Sequence, residues 1–132
     1  MKKISLVLSL IFALSLTNCK KETQSEIKVI SPEEMQTLLE LEDVQIVDVR
    51  TPEEHKQGYI YGSQNIDFNS PTFEEDITLL DKTKPVILYC KSGGRSAKGS
   101  KKLKDAGFVK IYDLKGGITQ WKFKGLELKT FE

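Results

Sequence analysis

The chain of 132 residues is poor in histidine and cysteine: His55 is its one histidine, and Cys19 and Cys90 are its two cysteines. That excludes a cluster with metal-ligand spacing and the disulfide framework that staples small exported domains. A Cys19–Cys90 bridge would tie a polar tail to a loop, and each cysteine has a better explanation of its own. A surplus of one charge is also missing, because 20 Lys and Arg offset 19 Asp and Glu to a formal +1. Nucleic acid is therefore not expected as a partner. The longest apolar run, Ile4 to Leu16, is too short for a comfortable membrane span. There is no internal repeat, no low-complexity segment and no motif that asks for a cofactor; the length suits one domain.

What is present starts with a leader. Lys2 and Lys3 precede the apolar run, so residues 1–18 read as a signal peptide. Leu16-Thr17-Asn18-Cys19 is similar to the lipobox of bacterial lipoproteins, in which the cysteine is lipidated and becomes the first mature residue. Asn18 departs from the Gly, Ala or Ser usual there. Ordinary cleavage near the small-x-small Ala13-Leu14-Ser15 and a retained anchor stay open. All three readings place the domain in a bacterial cell envelope, periplasmic or membrane-anchored. Loss of Lys2 and Lys3 takes the formal charge from +1 to −1. Residues 19–26 read as a polar tether and 27–132 as the folded domain.

Within that domain, runs of strand and helix character alternate. Ile27 to Ile30 reads as an edge strand. Ser31-Pro32-Glu33-Glu34 starts a helix whose apolar face holds Met35, Leu38, Leu39 and Leu41. Val44 to Val49 reads as a buried strand, and Thr51-Pro52-Glu53-Glu54 starts a short helix ending at Gly58. A short strand follows around Gln64 to Ile66. Ser70-Pro71 caps a helix to about Leu80, with Phe73, Ile77 and Leu80 on one face. Pro85 to Tyr89 is the next strand, Ser96 to Ala106 a helix closed by Gly107, and Phe108 to Tyr112 a strand. Gly116-Gly117 turns into a short helix with Ile118 and Trp121, and Leu126 to Leu128 reads as a last strand. This alternation predicts an α/β domain of three layers, a mostly parallel sheet with helices on both faces. Ligands bind such sheets at the carboxyl ends of strands, where both Cys90 and Asp48-Val49-Arg50 fall.

Cys90-Lys91-Ser92-Gly93-Gly94-Arg95-Ser96 carries the chemistry. A cysteine ends a buried strand, two glycines allow a tight curl with positive φ, and a helix begins. Loop N–H groups and the positive helix end would then converge on one sulfur and favour its thiolate. Lys91 and Ser92 would add N–H groups, and the Lys91 side chain either faces an anionic substrate or lies in solvent. Arg95 would bind an anion or brace the loop by an ion pair. Ser96 would be the helix N-cap, its hydroxyl near the loop. No histidine base is expected beside the sulfur, since His55 falls on the far side of another helix. Lys98, Lys101, Lys102 and Lys104 make either a solvated face or a field that concentrates anions.

Four segments together resemble the rhodanese family, over most of Val29 to Leu128. Asp48-Val49-Arg50-Thr51-Pro52-Glu53-Glu54 is similar to its first signature, and Gly58 to Ile66 to its second, usually GHIPGAxNI. The Cys90 loop matches CxxGxRS, and Gly116-Gly117-Ile118 with Trp121 resembles the closing GGxxxW. Tyr59 and Tyr61 depart from the usual His and Pro. The resemblance implies a rhodanese-like fold with a five-stranded, mostly parallel sheet, and sulfurtransferase activity. Cys90 would take a sulfane sulfur from a small anionic donor such as thiosulfate and pass its persulfide sulfur to a thiol acceptor. Asp48 would hold the framework, Arg50 would pair with an acid, Glu54 being the candidate, and Trp121 would be core or pocket rim. Dual-specificity phosphatases of the cell-division-cycle type and related arsenate reductases share the fold, but their loops place five residues between Cys and Arg. Here Lys91 to Gly94 make four, which suits one sulfur better than a phosphate. A non-turnover sulfide carrier, or a redox or binding module, is the other alternative, and the oligomeric state is left open.

Overall fold

The computed structural model describes residues 25–131. Cys19, the leader and most of the tether lie outside them.

Ser31 and Thr51 each cap a helix as their sequences ask. Each side chain accepts from the N–H three residues on, and Glu34 or Glu54 returns the bond to the cap N–H. The resulting helices are α1 (Pro32–Leu41) and α2 (Pro52–Gln57). They alternate with β1 (Ile27–Ile30), β2 (Gln45–Asp48) and β3 (Ser63–Asn65). Next come α3 (Phe73–Asp76) with a 3₁₀ turn at Ile77–Leu79, then β4 (Val86–Tyr89), α4 (Gly94–Asp105), β5 (Ile111–Leu114) and α5 (Gly117–Phe123). The five strands form one sheet in the order β1-β5-β4-β2-β3, every pairing parallel.

β4 is central and buried on both faces, which explains its unbroken apolar run. Val86, Leu88 and Cys90 point into one core layer with Phe73, Ile77, Leu80 and Leu103 from α3, the 3₁₀ turn and α4. Ile87 and Tyr89 point into the other with Met35, Ile118 and Trp121 from α1 and α5. The three-layer α/β architecture expected from the sequence is therefore the one observed.

Several boundaries differ. The helix expected from Ser70 starts at Phe73, because Ser70 and Thr72 spend their side chains on each other in a turn. Phe73, Ile77 and Leu80 are buried as expected. The last paired strand is Ile111–Leu114, and Phe108 serves instead as a core plug after the helix. Leu126 to Leu128 form no strand; only Lys129 bridges Tyr59. Leu41 is 76% exposed and leaves the α1 face to Met35, Leu38 and Leu39. No helix among the described residues is long and apolar enough to cross a membrane.

Candidate active site

The chain leaves β4 at Tyr89 and curls over the carboxyl edge of the sheet. Gly93, with φ of 121°, makes the turn that only glycine adopts freely, and its N–H donates to Cys90 Sγ at 3.0 Å. Burial pushes the Cys90 thiol up. The Ser96 hydroxyl and the N–H groups of Ser96, Gly93 and Ser92 outweigh burial, leaving the thiol below its ordinary value. Cys90 is 1% exposed, so it is nearly closed to solvent.

Gly93 takes the cap position of α4, so the helix starts before Ser96, contrary to the sequence expectation. Ser96 turns inward from the first turn. Its hydroxyl lies 3.5 Å from Cys90 Sγ and donates to the Gly93 carbonyl at 3.2 Å. Gly94 has open space where a Cβ would sit, so the curl depends on Gly93 rather than on both glycines. Lys91 turns its carbonyl toward α5, where it accepts from the Thr119 N–H at 3.0 Å; the Cys90 carbonyl accepts from Ile118 at 2.9 Å. The start of α5 is thus capped by the loop itself. Gly117, with φ of 57°, allows this contact: a Cβ there would overlap the Cys90 carbonyl oxygen and lie 2.7 Å from the Lys91 carbonyl.

Arg95 braces the loop from outside. It donates to Glu54 from two nitrogens, at 2.7 and 2.9 Å. The Arg95 hydrogen bond is the largest cause that holds the Glu54 carboxyl near 2; burial opposes it and Thr51 assists. Glu54 is therefore the partner of Arg95, not of Arg50 as the sequence suggested.

Arg50 pairs with Asp48 instead. Both are buried, with Arg50 Nη2 at 2.7 Å and Nε at 2.9 Å from the carboxylate, and Nη2 also donates to the Gly58 carbonyl at 2.7 Å. A strand end lets residues two apart meet, and the Arg50 N–H closes the same turn onto Asp48. Asp48 further bonds His55 Nδ1 at 2.8 Å and the Tyr89 hydroxyl at 3.1 Å. Burial and the Asp48 charge push the Tyr89 phenol far above its ordinary value, so it stays a donor.

Sequence reasoning missed His55 and Tyr89 as parts of this framework. Their signals were there: a histidine seven residues after Asp48, and a tyrosine at the end of an otherwise aliphatic strand. His55 is buried and stacks on Tyr59, the residue in place of the family's histidine, with ring centroids 4.4 Å apart. Trp121 is core and donates to the Glu127 carbonyl at 3.0 Å. Lys98, Lys101 and Lys104 lie exposed, while Lys102 pairs with Glu74.

A cleft of about 280 Å³ opens between α2, the Cys90 loop and α5. Glu54, Gln57, Lys91, Thr119 and Lys122 are among the residues that line it, while buried Cys90 lies behind its wall at the neighbouring Lys91 and is not one of them.

The chain is similar to several known proteins. The chain is 38% identical over 77 residues to the uncharacterised protein YqhL of Bacillus subtilis, a stretch covering 58% of this chain and 60% of that protein. It is 36% identical over 98 residues to the thiosulfate sulfurtransferase GlpE of Ectopseudomonas mendocina, covering 74% and 87%. Among solved structures, the rhodanese-like domain protein of Staphylococcus aureus superposes with a TM-score of 0.69 at 33% identity, covering 80% of this chain and 99% of that one. Residues 31–124 match the family described as rhodanese-like domain, and the chain belongs to that family.

Proposed function

We propose that this protein is a rhodanese-type sulfurtransferase that moves a sulfane sulfur through a Cys90 persulfide. Thiosulfate sulfurtransferases among its relatives support the activity at the family level. One observation carries the assignment to Cys90: its sulfur receives the Gly93 N–H at 3.0 Å inside a loop that lowers its pKa despite burial. The Cys90 thiolate attacks the outer sulfur of thiosulfate. A new S–S bond forms, the S–S bond of the donor breaks, and sulfite leaves with the electron pair. A thiolate acceptor, or cyanide in an assay, then attacks the outer persulfide sulfur and returns Cys90 as thiolate.

Lys91, Ser92, Gly93, Gly94, Arg95 and Ser96 form the loop, with Lys91 and Lys122 attracting the anionic donor to the cleft. Asp48, Arg50 and Glu54 support it from below and outside. The four residues between Cys90 and Arg95 favour sulfur over phosphoryl transfer. We also place the domain in the cell envelope, tethered through a lipidated Cys19; the Leu16 to Cys19 motif supports that placement.

Thiocyanate formation from thiosulfate and cyanide tests the activity. The wild type turns over, Cys90→Ser falls by on the order of 10³-fold or more, and neither hydrolyses an aryl phosphate. Full activity in Cys90→Ser contradicts the proposal.

A further inference from the structure

The cleft beside the Cys90 loop is not the pocket of the sulfur itself. Cys90 packs in the α3 and α4 layer, whereas Ile118 and Leu128 in the cleft wall pack with the α1 and α5 layer across the sheet. The walls carry a surplus of positive charge. Glu54 is one of them, but both its oxygens accept from Arg95. Arg50 is another, balanced by Asp48. Lys91 and Lys122 are exposed and pair with no acid among the described residues. Two exposed lysines alone make only a solvated rim. Arg50 adds a built donor, because only 5% of it is exposed. Its Nε and Nη2 go to Asp48 and the Gly58 carbonyl, and its Nη1 bonds to none of the described residues. The wholly buried side-chain atoms without a partner among those residues are Ser100 Oγ and Asp113 Oδ1, so Nη1 keeps access to the surface. A guanidinium nitrogen so placed donates to an oxyanion without releasing Asp48.

We propose that this cleft is an anion subsite for the sulfur acceptor: Arg50 Nη1, Lys91 and Lys122 hold a carboxylate carried by a small thiol. The inference rests on the sulfurtransferase reading above. The donor does not fit the subsite. In thiosulfate the charged oxygens sit on the sulfur bonded to the one that Cys90 attacks, so they stay at the Cys90 loop. A cleft behind that loop's wall is reached only by charge set several bonds from the reacting sulfur. A carboxylate thiol has that shape, with a carbon chain that spans the loop and a charge that stays in the cleft. At about 280 Å³ the cleft approaches the size of small-molecule sites, and Ile118 and Leu128 offer apolar surface to the chain. The two lysines draw any anion from a distance, and the subsite selects among acceptors.

Backbone amide and Arg50 guanidinium resonances of the full-length protein are titrated with succinate, a dicarboxylate without a thiol, at constant ionic strength. Saturable shifts at Lys91, Thr119, Lys122 and Arg50 with a shared Kd are expected. Lys122→Gln, a change at an exposed side chain, is expected to raise that Kd about threefold or more. Shifts at the lysines without Arg50, or a Kd that Lys122→Gln leaves unchanged, overturn the subsite. This arm needs no sulfur transfer, so it stands or falls apart from the function proposed above. With thiosulfate as donor, kcat/KM for 4-mercaptobutyrate is then compared with that for the uncharged 4-mercaptobutanol. Their ratio is expected to fall about threefold or more in Lys122→Gln, and a constant ratio overturns the assignment to the acceptor. Succinate binding by a protein that transfers no sulfur refutes the function, and with it the acceptor role, while upholding the anion subsite.

Discussion

Asp48 is fully buried, yet it joins Arg50, His55 and Tyr89 at a single carboxylate beside the candidate nucleophile. Removing it leaves a buried guanidinium, so Asp48→Ala is expected to cost about 3–5 kcal/mol in urea unfolding. Tyr89→Phe also takes the acceptor from the buried Ile60 N–H and is expected to cost about 1–3 kcal/mol, less than Asp48→Ala. Equal losses would show that Tyr89, not the ion pair, organises the cluster. Much of this scale was legible. The run from Cys90 to Ser96, with Gly93 at its turn, marks the loop in the sequence. The pairings were not legible. Arg50 has carboxylates both two residues before it and four after it, and only the strand-end turn selects Asp48.

Three elements hold the loop: α4 continues it, α5 docks on its carbonyls, and α2 clamps Arg95 through Glu54. The α5 contact depends on Gly117, where any side chain meets backbone. Gly117→Ala is expected to destabilise the domain by about 2 kcal/mol or more and to lower activity further at temperatures where it stays folded. A variant as stable and active as the wild type would mean the docking is dispensable. The clamp has a pH signature. Glu54 sits near 2 against an ordinary 4.5, so its contribution is complete above 4.5 and is lost as pH falls toward 2. The gap in Tm between wild type and Glu54→Gln is expected to hold at neutral pH and close between pH 4.5 and 2. A gap that persists at pH 2 contradicts the assigned pairing. The capping boxes of α1 and α2 were readable because Ser or Thr, Pro and two acids repeat at one spacing. The start of α4 was not, because Gly93 caps it by conformation and has no side chain to announce it.

The described residues form a small parallel sheet with a cleft beside the Cys90 loop, lined in part by Lys91 and Lys122. The alternating pattern made the three layers legible, but not the strand order that puts β4 at the centre. The proposed envelope placement rests on the Leu16 to Cys19 motif. Fatty-acid labelling in a bacterial host is expected to mark the wild type and not Cys19→Ser, and label retained in that variant would refute lipidation at this position. If the domain is exported as proposed, Cys90 works where thiols oxidise, and a persulfide there needs an acceptor outside the cytoplasm. The most direct test of the central claim is the intact mass of the purified protein after thiosulfate treatment under non-reducing conditions. The predicted result is a gain of one sulfur atom, located on Cys90, reversed by cyanide and absent in Cys90→Ser. An unchanged wild-type mass, or the same gain in Cys90→Ser, would contradict it.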